Sequence, residues 1–385
     1  MTDWALTSDE RAALHTLAAD LIRHPSPDPP GDEAAIAGFV ADRLRALGFE
    51  VETDEFLPRR INVVARLRGT GSQPALVFSA HMDTMPVGEA PWTHPPFSGE
   101  ILSGRLYGRG AADMKGGLAT MVAAAAKIKT SGKALAGDLV LAFSAGESTD
   151  CIGARRMVET GALSGAGWLL VSEPTSLGVF TAEAGALWLD AVATGATGHA
   201  SGSGGVNAIK RLMAFLDRLD GIRLAEAPHP LLGLPSLAVN RLAAGHAPNI
   251  TPDRARATLD IRTLPGMSAA AVIAELRPLA DGIAFEIIGD KPAIETPTDD
   301  PFVATALAAH ARVTGKAAEP GGVHYFSDSN VLVPALGVPR VIIGPGKAGM
   351  SGQTDEWVTL DALDAAAAIY AEIAADLLGG GGRSV

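Results

Sequence analysis

Cysteine is almost missing from this chain: Cys151 stands alone among 385 residues. A single thiol cannot form an intrachain disulfide, which fits a reducing compartment. No histidine lies near it in sequence, so it reads as a small buried residue rather than a nucleophile. Basic charge is short as well, with 31 Lys and Arg against 43 Asp and Glu and a net charge of −12. Nucleic acids and anionic membrane surfaces are bound by clustered Lys and Arg, so this balance argues against both as partners. No apolar run reaches the roughly 18 residues that span a bilayer. Residues 1–11 (MTDWALTSDER) also lack a basic segment followed by an apolar one, and a cytoplasmic protein is expected.

What is present is an ordinary apolar content of 47%, in a chain long enough for one large and one smaller domain. Residues 8–24 and 32–47 repeat apolar side chains every three or four positions, predicting two amphipathic helices on either side of the breaker PSPDPPG. Strands are expected at 50–56, 62–67, 74–80, 138–145 and 168–172, with helices over 118–129 and 153–160. Near residue 185 the texture changes. Strand 187–193, helix 207–219, strand 255–262, helix 269–279 and strand 283–288 succeed one another, which suggests a small inserted α+β, ferredoxin-like layer. A helix over 297–313, a strand over 338–343 and a helix over 360–378 return to the first pattern. The expected fold class is therefore α/β. Residues 1–184 and 294–385 would form a domain with a mainly parallel central sheet flanked by helices, and 185–293 a smaller inserted domain.

The chemistry gathers at strand ends. The run PALVFSA stops at His81-Met82-Asp83, DLVLAFSA is followed by Gly146-Glu147-Ser148, and WLLVS by Glu173-Pro174-Thr175. In open α/β sheets ligands bind beyond the carboxyl ends of the strands, so His81, Glu147 and Glu173 should converge on one crevice. Asp83 sits two residues past His81, on the same side of an extended chain. It could accept the proton of the imidazole nitrogen left unengaged when the other binds a metal. The bland alternative is a polar turn after a core strand. Asp113 lies among Gly108, Gly110, Gly116 and Gly117, just before a helix. It could cap that helix, or the glycines could bring its carboxylate up to an ion from a second direction.

The motifs SAHMDTMPVG, YGRGAADMKGG, SEPT, GHASGSGGVNAI, LDIRTLPG, YFSDSNVL, and GPG followed by QTDEWV occur in that order along nearly the whole chain. In them the sequence resembles the M20 family of zinc-dependent peptidases and deacylases. The resemblance implies a fold with a lid and dimerisation domain, here 185–293, and a pair of metal ions sharing a bridging Asp, here Asp113. His81 and Glu173 match the other ligands of the first metal, Glu147 the general base, and Asp83 the residue steering His81. His199 matches a histidine that reaches the partner subunit's site and holds the scissile carbonyl oxygen. Asn249 and Arg262 match lid positions near the substrate carboxylate.

Two positions depart from the family pattern, and both fall on the second metal. Ser148 stands where the family carries the second of two glutamates, and Gly352, in Ser351-Gly352-Gln353-Thr354-Asp355-Glu356, stands where it carries a histidine. Asp150, His324 and Asp355 are conceivable substitutes that sequence alone does not place. The expectation is one divalent ion per chain, zinc first and cobalt or manganese after it, held by His81, Asp113 and Glu173. The expected activity is hydrolysis of an amide C–N bond in a small N-acyl amino acid or related carboxylate, by a homodimer. The rival readings are a metal-free reaction such as acyl transfer or cyclisation with Glu147 as base, and a binding protein without turnover.

Overall fold

In the computed structural model of the chain, residues 3–199, 201–202 and 204–379 are described. Ala200 and Ser203 of the GHASGSGG segment and the residues past 379 lie outside them. The chain divides into two compact units.

The larger unit comprises Met1–Thr181, Thr296–Gly321 and Ser327–Val385. Its sheet places the strands in the order Glu50–Leu57, Arg60–Leu67, Leu139–Ser144, Ala75–His81, Ala166–Val171, Arg340–Ile342. The last four run parallel, with His81 in register with Ser144 and Ser79 with Val171. The first two are antiparallel additions at one edge. Every residue of Ala75–His81 and Leu139–Ser144 is buried. Strands covered on both faces have no solvent side to alternate toward, which is why both read as unbroken apolar runs. Helices Ser8–Ile22, Lys115–Thr130, Pro301–Thr314 and Leu360–Leu378 pack on one another, and Lys115–Thr130 and Leu360–Leu378 also touch Ala75–His81. Ala34–Ala46, Ile152–Glu159 and Ser329–Leu336 pack against Arg60–Leu67 or Ala166–Val171. The polar residues that follow the parallel strands are thereby set at one end of a rigid sheet.

The smaller unit comprises Ala182–Glu295 and Gly322–Phe326. Its antiparallel sheet has the order Ser236–Ala244, Arg254–Arg262, Ala186–Thr194, Ile283–Lys291. With helices Ala208–Leu219 and Ala269–Leu276, the chain order is strand, helix, strand, strand, helix, strand, which is the ferredoxin-like arrangement. Ala255, Ala257, Leu259 and Ile261 turn one face of the sheet to Leu212, Phe215, Val272 and Leu276. The alternate residues Arg254, Arg256, Thr258, Asp260 and Arg262 occupy the opposite face. Ser236–Ala244 is a strand the sequence pattern did not predict. Eight of its nine residues are exposed, so no buried face imposed an apolar alternation on it. Among the described residues no helix is long and apolar enough to cross a membrane.

Candidate metal centre

His81 ends its strand, and burial leaves its ring only 5% exposed. Its Nδ1 lies 2.9 Å from the backbone carbonyl of Asp83. A carbonyl only accepts, so Nδ1 carries a proton, and Nε2 is the ring nitrogen left to meet an ion. That nitrogen faces Asp113 Oδ1 at 3.0 Å and Glu173 Oε1 at 3.7 Å. One donor atom from each of His81, Asp113 and Glu173 lies within 4.8 Å of the others. Ligands about 2.0 Å from a tetrahedral zinc stand about 3.3 Å apart, so the two measured separations bracket the spacing a zinc ion needs. The residues present fit a divalent ion.

Asp113 is not a helix cap. The helix starts at Lys115 with Met114 as its cap residue and no side-chain cap bond. The Asp113 carboxylate is instead shared between His81 at Oδ1 and the Ser351 hydroxyl, which donates to Oδ2. Its backbone N–H donates to Glu356 Oε1 at 3.1 Å. Gly117, in the first turn of that helix, explains part of the glycine cluster: a Cβ there would stand 2.2 Å from Ser172 Oγ, so only glycine lets the helix approach the strand end that carries Glu173.

Asp83 behaves differently from expectation. Its carboxylate is 3.7 Å from His81 Nδ1, too far for a hydrogen bond, and it is Asp83's own carbonyl that takes the ring proton. The carboxylate accepts from the backbone N–H groups of Glu147 at 3.0 Å and Ser148 at 3.1 Å. The regular strand ends at His81, so its two-residue alternation no longer sets the Asp83 side chain beside the ring. Asp83 thus fixes the backbone that presents Glu147.

The electrostatics of the cluster favour added positive charge. Burial alone would lower the His81 imidazole, but its hydrogen bond to Asp113 and the charges of Asp83, Glu173 and Asp113 hold it well above its ordinary value. Burial pushes the Glu147 carboxyl well above the usual range; His81 opposes this, while Asp83, Asp328 and Asp113 add to it.

Sequence reasoning missed several residues of the larger unit. Buried Arg109 pairs with Glu356 at 2.7 Å and donates to the carbonyls of Pro86, Gly352 and Gln353. Asp328, 3% exposed, accepts from the Ser144 hydroxyl at the end of a parallel strand. Both lie inside motifs quoted above, YGRG and YFSD, which was the available signal. Of the conceivable substitutes for the second site, Asp355 accepts from the N–H groups of Thr93 and His94, and Asp150 pairs with Arg155 at 3.1 Å. Exposed His324 belongs to the smaller unit. Among the described residues only His81, Asp113 and Glu173 form a metal-capable group.

The smaller unit holds His199, Asn249 and Arg262. His199 is exposed, with Nδ1 2.7 Å from Ser201 Oγ, and its backbone bridges to Ile250, next to Asn249. Arg262 closes its strand at the opposite end of the sheet from Arg254, which pairs with Thr194. It lies against Asp260 at 3.1 Å and over the Phe326 ring at 5.7 Å.

Residues 77–376 match the sequence profile of Peptidase family M20/M25/M40. The chain belongs to this family. It is 38% identical over 272 residues to the succinyl-diaminopimelate desuccinylase of Gluconacetobacter diazotrophicus, covering 67% of this chain and 69% of that one. It is 29% identical over 361 residues to the acetylornithine deacetylase of Vibrio cholerae serotype O1, covering 87% and 89%. The YxeP protein of Bacillus subtilis, a dinuclear metal-binding peptidase of the M20 family, superposes with a TM-score of 0.75 at 18% identity, over 96% of this chain and 98% of that one. At that identity the likeness is one of fold. As a member of the M20 family the chain is a metal-dependent hydrolase, and its mixed α/β fold with a mainly parallel central sheet is that of M20 peptidases.

Proposed function

We propose that the chain is a single-ion amidohydrolase that cleaves the amide C–N bond of a small N-acyl amino acid or related carboxylate. His81, Asp113 and Glu173 are its metal ligands and Glu147 its general base. One observation carries this reading: in the only converging ligand set among the described residues, Asp113 Oδ1 lies against His81 while Oδ2 accepts from Ser351. Zinc suits one imidazole and two carboxylates with an open position, and cobalt or manganese suits them next. When bound, such an ion supplies Lewis acidity to the carbonyl oxygen and acidifies a water. Glu147, presented by Asp83, takes a proton from the attacking water and returns it to the departing amine nitrogen as the C–N bond breaks. His199 donates to the developing oxyanion. Asn249 and Arg262 hold the substrate carboxylate.

A homodimer joined through the smaller unit is part of the proposal. His199 bridges to Ile250, next to Asn249 and before the Arg254 end of the strand Arg254–Arg262, while Arg262 closes the other end, eight residues or roughly 27 Å along at about 3.4 Å per residue. A single small substrate cannot span that, so the groups at one site come from two chains. The nine-residue edge strand Ser236–Ala244, with Val239 45% and Leu242 64% exposed, offers the surface for pairing. A cytoplasmic location belongs to the same reading and agrees with Cys151 being a buried, unbridged thiol.

The test is metal content together with turnover. Protein saturated with zinc and freed of loosely held ion should carry one ion per chain and hydrolyse members of a panel of N-acetyl and N-succinyl amino acids. A chelator should abolish that activity. Glu147→Gln should keep the ion and lose at least about 10²-fold in kcat. Two tightly held ions refute the single-ion reading, and full turnover after chelation favours the metal-free one.

A further inference from the structure

Ser351 stands in a segment whose backbone is fixed on all sides. Met350 N–H donates to the Lys347 carbonyl at 3.0 Å and Gln353 N–H to the Met350 carbonyl at 3.2 Å, closing a four-residue turn. Gly352 occupies the third position of that turn with φ +72°, the left-handed conformation a type II turn requires there. Arg109 then clamps the turn from outside, donating to the Gly352 carbonyl at 3.1 Å and to the Gln353 carbonyl at 3.2 Å. The same guanidinium pairs with Glu356, which accepts from the N–H groups of Ala112 at 2.8 Å and Asp113 at 3.1 Å. One stretch, 351–356, therefore grips Asp113 twice, at its backbone through Glu356 and at its carboxylate through the Ser351 hydroxyl.

A carboxylate that bridges two ions must offer an oxygen to each. Here Oδ1 faces His81, and Oδ2 is occupied by a hydrogen-bond donor presented by a rigid turn. We propose that Ser351 is a positioning residue: its hydroxyl holds Asp113 as a one-sided ligand, turning Oδ1 toward His81 and Glu173 in the place where a second ion would otherwise anchor the carboxylate. This rests on the single-ion reading above and goes further, because it names the group that supports the lone ion. Hydrogen bonds to ligating carboxylates orient them, and losing such a partner typically costs about 10- to 100-fold in metal affinity.

The experiment compares zinc affinity and stoichiometry of the full chain, Ser351→Ala and Ser351→Thr by competition with a chromogenic chelator. Cobalt absorption spectra report ligand geometry, and circular dichroism of the metal-free proteins reports folding. Ser351→Ala should fold as the parent does, bind one ion about 10- to 100-fold more weakly and change the cobalt spectrum; Ser351→Thr, which keeps a hydroxyl, should stay within a few-fold of the parent. Equal affinity of Ser351→Ala and parent, each with one ion, overturns the role of Ser351 and leaves the single-ion reading standing. So does a Ser351→Thr protein as weak as Ser351→Ala. Two ions in the parent overturn the single-ion reading itself, whatever the variants do.

Discussion

Replacing Asp328 by asparagine is a direct test of how burial shapes this site. Asp328 is 3% exposed, and its Oδ2 accepts from the Ser144 hydroxyl. Burial pushes its carboxyl from 3.8 up to about 6; the Ser144 hydrogen bond and the His81 charge pull it down, and Asp83 pushes it up again. A carboxyl raised on folding binds an extra proton in the native state, so its ionisation opposes folding. Stability from this group is full below 3.8 and is lost as pH rises to about 6. A shift of about two units is worth about 3 kcal/mol. Asparagine cannot titrate. Whatever fixed packing cost it carries, the difference in unfolding free energy between variant and parent should therefore move by about 2 kcal/mol in the variant's favour between about pH 4 and about pH 7. Urea unfolding followed by tryptophan fluorescence, in chelator to keep metal out of the comparison, measures that difference. Parallel pH profiles for the two proteins would refute the reasoning. A second readout ties the residue to catalysis: Asp328 is one of the charges holding Glu147 high, so its removal should move the acid limb of kcat/KM to lower pH.

Two further outcomes are expected. Mixing His199→Ala chains with Glu147→Ala chains should restore part of the activity through hybrid dimers in which one site receives both intact groups; a mixture that stays inactive despite proven subunit exchange rules out action across the dimer. Gly352→Ala should cost about 1–2 kcal/mol from its positive φ, the nearby Met85 Sδ, 3.0 Å from the added Cβ, being able to swing away. Against that control, Ser148→Glu with Gly352→His should raise the ion count from one to two, and a count still at one would show that these positions do not face the second site.

The buried parts of the fold were legible because burial on both faces leaves a compositional mark. PALVFSA, DLVLAFSA and WLLVS lie in or directly beside the parallel strands Ala75–His81, Leu139–Ser144 and Ala166–Val171, and the long helix Leu360–Leu378 was visible in its periodicity. Ser236–Ala244 was illegible for the converse reason, since an exposed edge places no demand on its side chains. Gly322–Phe326 joins the smaller unit through tertiary pairing, Ala184 N–H to the Val323 carbonyl, which no local pattern encodes. Strand ends pointed to His81, Glu147 and Glu173 and a glycine cluster to Asp113, and His81, Asp113 and Glu173 do come together. What they could not give was direction. Asp83 lends His81 its carbonyl and Glu147 its carboxylate, and a serine as common in loops as Ser351 carries no sign that it meets a buried acid.

The acids around His81 explain why direction matters so much here. An ionised carboxylate taken out of water is costly unless donors or a cation compensate it. Asp83 has its donors in the N–H groups of Glu147 and Ser148. Glu147 and Asp328 keep their protons to higher pH, and His81 gains one against the pull of burial, so three groups around one point lean toward extra positive charge. A divalent ion held by His81, Asp113 and Glu173, as proposed above, would answer that demand, leave the imidazole neutral and draw Glu147 down toward the range of a base at neutral pH. The Ser351 hydroxyl on Asp113 Oδ2 brings no net charge of its own. It can only aim the carboxylate, and under the single-ion proposal an ion with no neighbour to share its ligand would depend on that aim for its retention.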